Sequence, residues 1–245
     1  PMKDGMFAGQ GSKYTLNQSN PYENRDPRLD YTILHHGSSW LNNTLDISIG
    51  GVNNPSNSAE YSKTGYYMCK FMGKFGEESQ YGNKIHLWVM FRYAEMLLNY
   101  AEAVYERDDK ISNTDLNISL NLVRLRVNPA MTPLTNELIT QNAGMDMRTE
   151  IRRERTIELF NEGFRLDDLK RWKTAETEMP MDIVGIQWKG TEYEKVWANC
   201  PYETNAEGCI IIEKGRKWEE KNYLFPLPSD QLQLNPNLQQ NPGWE

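Results

Sequence analysis

The sequence predicts a mainly α protein: a tetratricopeptide-like helical core with long irregular loops and a few short strands. Three observations carry this expectation. Apolar residues recur at helical spacing in four stretches between about residues 87 and 173. The first two stretches are joined by a short polar turn, as in a helical hairpin. The flanking segments are rich in Asn, Gly, Ser, Tyr and Pro, which is turn chemistry. The expected divisions are therefore a loop-rich segment over 1–86, a helical core over 87–173, and a second loop-rich segment ending in a strap over 174–245.

Leu87, Phe91, Ala94, Leu98, Ala101 and Tyr105 share one helical face, and the small alanines permit close approach of a partner helix. A second helix is expected from Ser112 or Thr114, either of which can cap it, with the stripe Leu116, Leu120, Val123 and Val127. Asn128-Pro129 ends it. One hairpin cannot bury its own apolar face, so further helices must stack on it. A third helix is expected from about Asp146 to Asn161, closed by Gly163. Leu166, Leu169 and Trp172 mark a fourth. In the first segment, Tyr31–Leu34 and Tyr66–Phe71 read as strands.

Composition excludes several functions. The formal charge of −7 leaves no Lys/Arg excess for nucleic-acid phosphates or for a polybasic membrane face. No apolar run approaches the length that spans a bilayer. Three cysteines form neither a disulfide framework nor a metal-ligand pattern. Cys200 and Cys209 flank a turn-rich loop and are equally readable as a local disulfide or as two thiols; Cys69 reads as a small core residue. His35 and His36 are adjacent on an extended segment, point to opposite faces and cannot chelate one ion together. No phosphate loop, nucleophile elbow or Cys/His pair is present, so no cofactor and no metal are expected.

Glu154, Glu158 and Glu162 fall at i, i+4 and i+8 on one helix face, with Arg155, Arg165 and Arg171 nearby. Glycoside hydrolysis needs two carboxyls facing each other across a cleft. Carboxylates along one helix, interleaved with arginines, fit an ion-pair network that fixes the helix against its neighbours. Arg25, Asp26 and Arg28 form a compact charged turn suited to a bidentate clasp between arginine and carboxylate. Sugar sites pair stacked aromatics with short polar side chains. Trp40 with Asn42, Asn43 and Asp46 is one such cluster, and Trp188, Tyr193 and Trp197 form another.

Four stretches in order resemble the SusD/RagB family. The first is Asn20-Pro21-Tyr22-Glu23-Asn24-Arg25-Asp26-Pro27-Arg28. The second is Arg92-Tyr93-Ala94-Glu95 through Ala103, followed by Leu120-Asn121-Leu122-Val123-Arg124-Leu125-Arg126. The third runs from Arg153-Glu154-Arg155 through Glu162-Gly163-Phe164-Arg165 to Asp168-Leu169-Lys170-Arg171-Trp172. The fourth is Phe225-Pro226-Leu227-Pro228 with Gln240-Asn241-Pro242-Gly243-Trp244. The resemblance implies an outer-membrane, cell-surface lipoprotein that binds an oligosaccharide or other oligomeric nutrient without catalysis. Its implied partner is a TonB-dependent, SusC-like transporter. It also implies that these residues are a C-terminal half, so that a lipid-anchored N-terminal half is a further partner and carries much of the ligand surface. A helical-repeat scaffold that binds only protein is the alternative, and a glycoside hydrolase is third.

Overall fold

The computed structural model describes residues 1–17, 19–40, 42–48, 50–54, 62–72, 89–187, 189–191, 194 and 203–245. Helix dominates. In chain order the described elements are α1 (Arg28–Thr32), β1 (Ile33–Leu34), β2 (Ser39–Trp40), β3 (Asn43–Thr44), β4 (Tyr67–Met68), α2 (Tyr93–Asp108), α3 (Asn113–Asn117) and α4 (Leu120–Val127). They continue with α5 (Asn136–Gln141), α6 (Met147–Glu158), α7 (Arg165–Arg171), α8 (Ala175–Glu178), β5 (Ile183–Gln187), β6 (Cys209–Glu213), a 3-10 turn (Glu220–Tyr223) and α9 (Ser229–Leu234). Among the described residues, strands pair only in twos, all antiparallel: β1 with β4, β2 with β3, and β5 with β6. The mainly α fold class is thus as the sequence implies.

The core lies where α2 packs on α4 and α6. Leu97, Leu98 and Ala101 of α2 meet Leu116, Leu120, Val123, Met147 and Ile151 there. α2 starts later than its apolar stripe suggests. Arg92 is extended, and its guanidinium is tied to Glu158 and Glu162, which holds the backbone out of the helix. Phe91 consequently sits before the helix and is exposed, while Leu87 lies outside the described residues. The helix ends where Asp109 turns left-handed.

The expected second helix is two. Ser112 caps α3 by accepting from the Asp115 backbone N–H at 3.0 Å. At Ser119 the hydroxyl donates back to the Asp115 carbonyl at 2.5 Å and the backbone leaves helical geometry, so the chain restarts as α4. Buried Asn121 then grips Leu134 in both directions: its amide donates to the Leu134 carbonyl at 3.0 Å and its carbonyl accepts the Leu134 N–H at 2.7 Å. This pins the segment leading to α5, a helix capped by Thr135 that the apolar pattern does not announce.

Asp146 caps α6 by accepting the Thr149 N–H at 2.9 Å. α6 stops at Glu158, three residues short of the expected Asn161, and the left-handed backbone of Asn161 and Gly163 completes the turn into α7. The β5–β6 pair falls in a stretch read from sequence as irregular. Its Ile186 and Ile210 build a second apolar cluster with Ile47. Gly185 is required there, since a Cβ would lie 2.6 Å from the Thr64 carbonyl oxygen. At the C-terminus, Gln240 brackets Leu227 through both its amide groups, and the Trp244 indole N–H donates to the carbonyls of Lys221 and Leu224.

Candidate functional site

Two rows of α6 are buried. Met147, Ile151 and Arg155 form one, and Glu150, Glu154 and Glu158 the other, each at four-residue spacing. The acidic row meets the charged turn before α1. Arg28 donates to both carboxylate oxygens of Asp26, at 3.1 and 2.7 Å, and with Nη1 to Glu154 at 2.6 Å and Glu158 at 3.1 Å. Glu158 Oε1 also accepts from Arg92 at 2.6 Å and Arg126 at 2.7 Å. Glu162 takes Arg92 and Lys70, and Lys70 additionally donates to the carbonyls of Glu158 and Phe160 beyond the end of α6. Behind Glu154, Arg124 is 1% exposed, donates to the Gly5 carbonyl and approaches Glu154 at 3.9 Å.

A second network lies on the other side of α6. Arg155 donates to Asp168 at 2.8 Å and to the Asn99 side chain at 2.6 Å. Arg171 bridges Asp168 and Glu102, and the Trp172 indole N–H donates to Glu102 at 2.6 Å. Burial favours neutral carboxyls, but the facing cations outweigh it for three of them. Burial opposes, and Arg28 more than offsets, so Asp26 is held below its ordinary value. Arg171 and Trp172 do the same for Glu102, and Arg92 and Lys70 for Glu162. Burial pushes Arg124 down, and Arg153 down to about 10.

These shifts fix the sign of one pH effect. Depressed folded-state values mean that the unfolded chain takes up protons first as pH falls, so their stabilisation is complete above the ordinary carboxylate range and lost below it. The melting temperature is expected to hold between about pH 7 and 5 and to fall steadily as pH drops below about 4.5. A melting temperature unchanged down to about pH 3 would show these carboxylates to be unpaired.

Not every charged residue named from the sequence joins these networks. Arg25 donates to the carbonyls of Pro1 and Pro21, and among the described residues no carboxylate pairs with it, a correction to its expected role in an ion-paired clasp. A guanidinium beside a turn finds backbone acceptors nearer than any carboxylate. Arg165 pairs with Glu178 at 2.6 Å on the exposed surface, apart from both buried networks. Arg92, Arg124, Arg126, Asp168, Arg171 and Glu102 belong to the networks and stand within the stretches that carry the family resemblance; Lys70 has no signal in its aromatic surroundings.

Beside Glu158 and Glu162 opens a cavity of about 500 Å³, lined by Arg28, Lys70, Arg92 and Arg126 and walled by Tyr31, Phe71, Val89, Val127 and Ile157. The aromatic and polar cluster named from sequence lies elsewhere. Trp40 is half-buried in β2, Asn42 turns left-handed in the β2–β3 connection, and Asn43 begins β3. Asp46 accepts the backbone N–H and hydroxyl of Ser48 and so holds its own loop. Trp188, Tyr193, Trp197 and Cys200 lie outside the described residues. Cys209 is a free, half-buried thiol at the start of β6, its pKa raised by burial. Among the described residues no three His, Cys, Asp or Glu side chains are placed to hold a metal, and no helix is long and apolar enough to cross a membrane.

The family model of the SusD family matches residues 1–244. The chain belongs to the SusD family. Among solved structures, a SusD-like carbohydrate binding protein from Bacteroides fragilis NCTC 9343 is similar at 28% identity and a TM-score of 0.73, over 96% of this chain and 47% of that one. A second SusD-like protein from the same organism is similar at 25% identity and a TM-score of 0.70, over 99% of this chain and 46% of that one. A search of curated proteins returned no match. This SusD-family chain thus spans about half the length of the solved structures it matches.

Proposed function

We propose that this chain is the C-terminal half of a surface lipoprotein of the SusD family that captures a glycan and passes it to a TonB-dependent, SusC-like outer-membrane transporter. Anchoring is through lipid on an N-terminal half outside these residues. The single observation that carries the reading is the SusD-family match from residue 1 to residue 244, to which the B. fragilis neighbour described as carbohydrate binding adds the ligand class. The function is capture, not catalysis. Glu158 accepts hydrogen bonds from three arginines and Glu154 from one, so the acidic row of α6 offers no pair of carboxyls facing across a cleft. Trp40 and Asn42, with Trp188, Tyr193 and Trp197, are this half's candidate contacts to the sugar.

Calorimetry with an oligosaccharide panel tests this on the 245-residue chain and on the longer protein. The longer protein is expected to bind one class saturably and to release it intact by mass spectrometry. The 245-residue chain is expected to bind at least about tenfold more weakly, because losing part of a site's contacts costs more than about 1.4 kcal/mol. Cleavage products would sink the capture reading, and equal affinity would place the whole site within these residues.

A further inference from the structure

The C-terminal strap is closed on itself and fastened to the rest of the chain at few points. We infer that residues 218–245 open as one unit while the helical core stays folded, and that Lys170 and Lys173, at the end of α7, are the latch that holds them closed.

The first observation is how little joins the strap to the body. None of residues 214–245 is buried as a whole, and neither apolar cluster takes a side chain from them. The two ends of the strap hold each other instead. The side-chain amides of Gln240 and Asn241 donate to the carbonyls of Leu227 and Phe225 at 3.0 and 2.6 Å, and the Trp244 indole donates to those of Lys221 and Leu224. Among the described residues no hydrogen bond links 218–245 to another part of the chain. The lead-in is free to pivot: Gly215 has φ at +73°, and a Cβ there would meet nothing within 4 Å. A hinge needs only a short loop segment that can absorb such a backbone change.

The second observation is the latch. Lys170 Nζ lies 3.6 Å from the centroid of the Phe225 ring, and Lys173 Nζ lies 3.6 Å from that of Tyr223. Lys173 also reaches Glu220 at 3.6 Å, with both side chains exposed. Lys173 follows α7 with a left-handed φ of +56°, in a place after a helix that glycine ordinarily fills. A side chain is kept there, and its ammonium caps Tyr223. An ammonium over a ring is a weak tie where water reaches it, and an exposed ion pair adds little.

The third observation brings the closed state near balance. Three single polar atoms at this junction, Thr174 Oγ1, Trp218 Nε1 and Tyr223 Oη, are shut off from solvent and have no hydrogen-bond partner among the described residues. Thr174 follows Lys173 in sequence. Trp218 packs edge-on against Tyr223, with ring centroids 5.2 Å apart, and so joins the contact that Lys173 caps. Closing takes these atoms out of water without replacing their hydrogen bonds, and opening returns them to it. Weak ties set against such a cost give a segment that opens well below the free energy of global unfolding.

Hydrogen exchange read by mass spectrometry on the complete polypeptide tests this. The N–H groups of Leu224, Leu227, Gln231 and Trp244 are bonded inside the strap. They are expected to exchange together, more slowly than in an unstructured peptide and at least about tenfold faster than the amides of α2 and α6. The double substitution Lys170→Met and Lys173→Met keeps side-chain length and removes the charge. It is expected to speed exchange across the strap by about fivefold or more, the shift in the opening equilibrium that two solvent-reached cation–π contacts account for, and to leave α2 and α6 unchanged. Lys214→Met, which breaks an exposed pair with Glu203 ahead of the strap, is the control and leaves strap exchange as it is. Strap amides that exchange only together with those of α6 would make the strap part of the cooperative core. Exchange at the rate of an unstructured peptide would mean that nothing latches it, and a double variant indistinguishable from wild type would take the latch away from the lysines. Each of these three results overturns the proposal.

Discussion

Replacing Glu158 with Ala is expected to cost about 3–5 kcal/mol, the penalty for removing one partner from a buried ion-pair network. The side chain is 3% exposed and holds Arg28, Arg92 and Arg126 from three different segments of the chain. Without it, Arg28 keeps Asp26 and Glu154 and Arg92 keeps Glu162, but the end of α6 loses its tie to α1, to the lead-in of α2 and to α4. For a chain of this size each kcal/mol is worth roughly 2–4 °C, so the melting temperature falls by roughly 6–20 °C. Glu158→Gln keeps the shape and removes the charge, and is expected to fall between wild type and Glu158→Ala. The control is Glu178→Ala, which breaks only the exposed pair with Arg165 and costs at most about 1 kcal/mol. If Glu158→Ala melts no lower than Glu178→Ala while oligosaccharide binding disappears, the network belongs to the ligand site and not to the scaffold.

The acidic row of α6 shows what was readable from sequence. Its four-residue spacing is a local property, so the shared face of Glu154 and Glu158 follows from helix geometry alone. Which arginines answer them does not. Arg28, Arg92 and Arg126 are 126, 66 and 32 positions away along the chain, and only the tertiary packing of α1, α2 and α4 on α6 brings them together. The resemblance helps because it marks these stretches as one set, although it says nothing of who touches whom. The apolar stripe predicted the body of α2 but not its start, and the stripe of the second helix missed the break at Ser119 because a single hydroxyl bonded to a carbonyl four residues back leaves the apolar pattern unaltered. The β5–β6 pair escaped notice for a related reason: its strands are far apart in sequence and find each other across a long connection. The ligand surface is the least legible part, since an aromatic beside asparagines looks the same whether it anchors a loop or stacks on a sugar.

Gly5→Ala is expected to be the other severe change, on the order of 3 kcal/mol or more, from strain and overpacking together. Gly5 is buried with φ at +78°, where an L side chain is strained. A Cβ there would also lie 2.2 Å from Arg124 Nη2 and 2.6 Å from Met131 Cγ. Arg124 cannot swing aside, being 1% exposed and bonded through the same Nη2 to the Gly5 carbonyl at 3.0 Å. The N-terminal turn is itself held down, with Met2, Asp4 and Met6 buried and the Asp4 carbonyl accepting from Thr132. Either the turn lifts off or the guanidinium moves away from Glu154, and both outcomes disturb the buried pairing of Arg28 with Glu154. Gly9→Ala separates the two causes. Its φ is +79°, but a Cβ there meets nothing within 4 Å, so it reports backbone strain alone, roughly 1–2 kcal/mol. The excess of Gly5→Ala over Gly9→Ala in denaturant unfolding therefore measures the clash with Arg124. No excess would mean that the turn yields freely and that Arg124 is positioned by Glu154 without it.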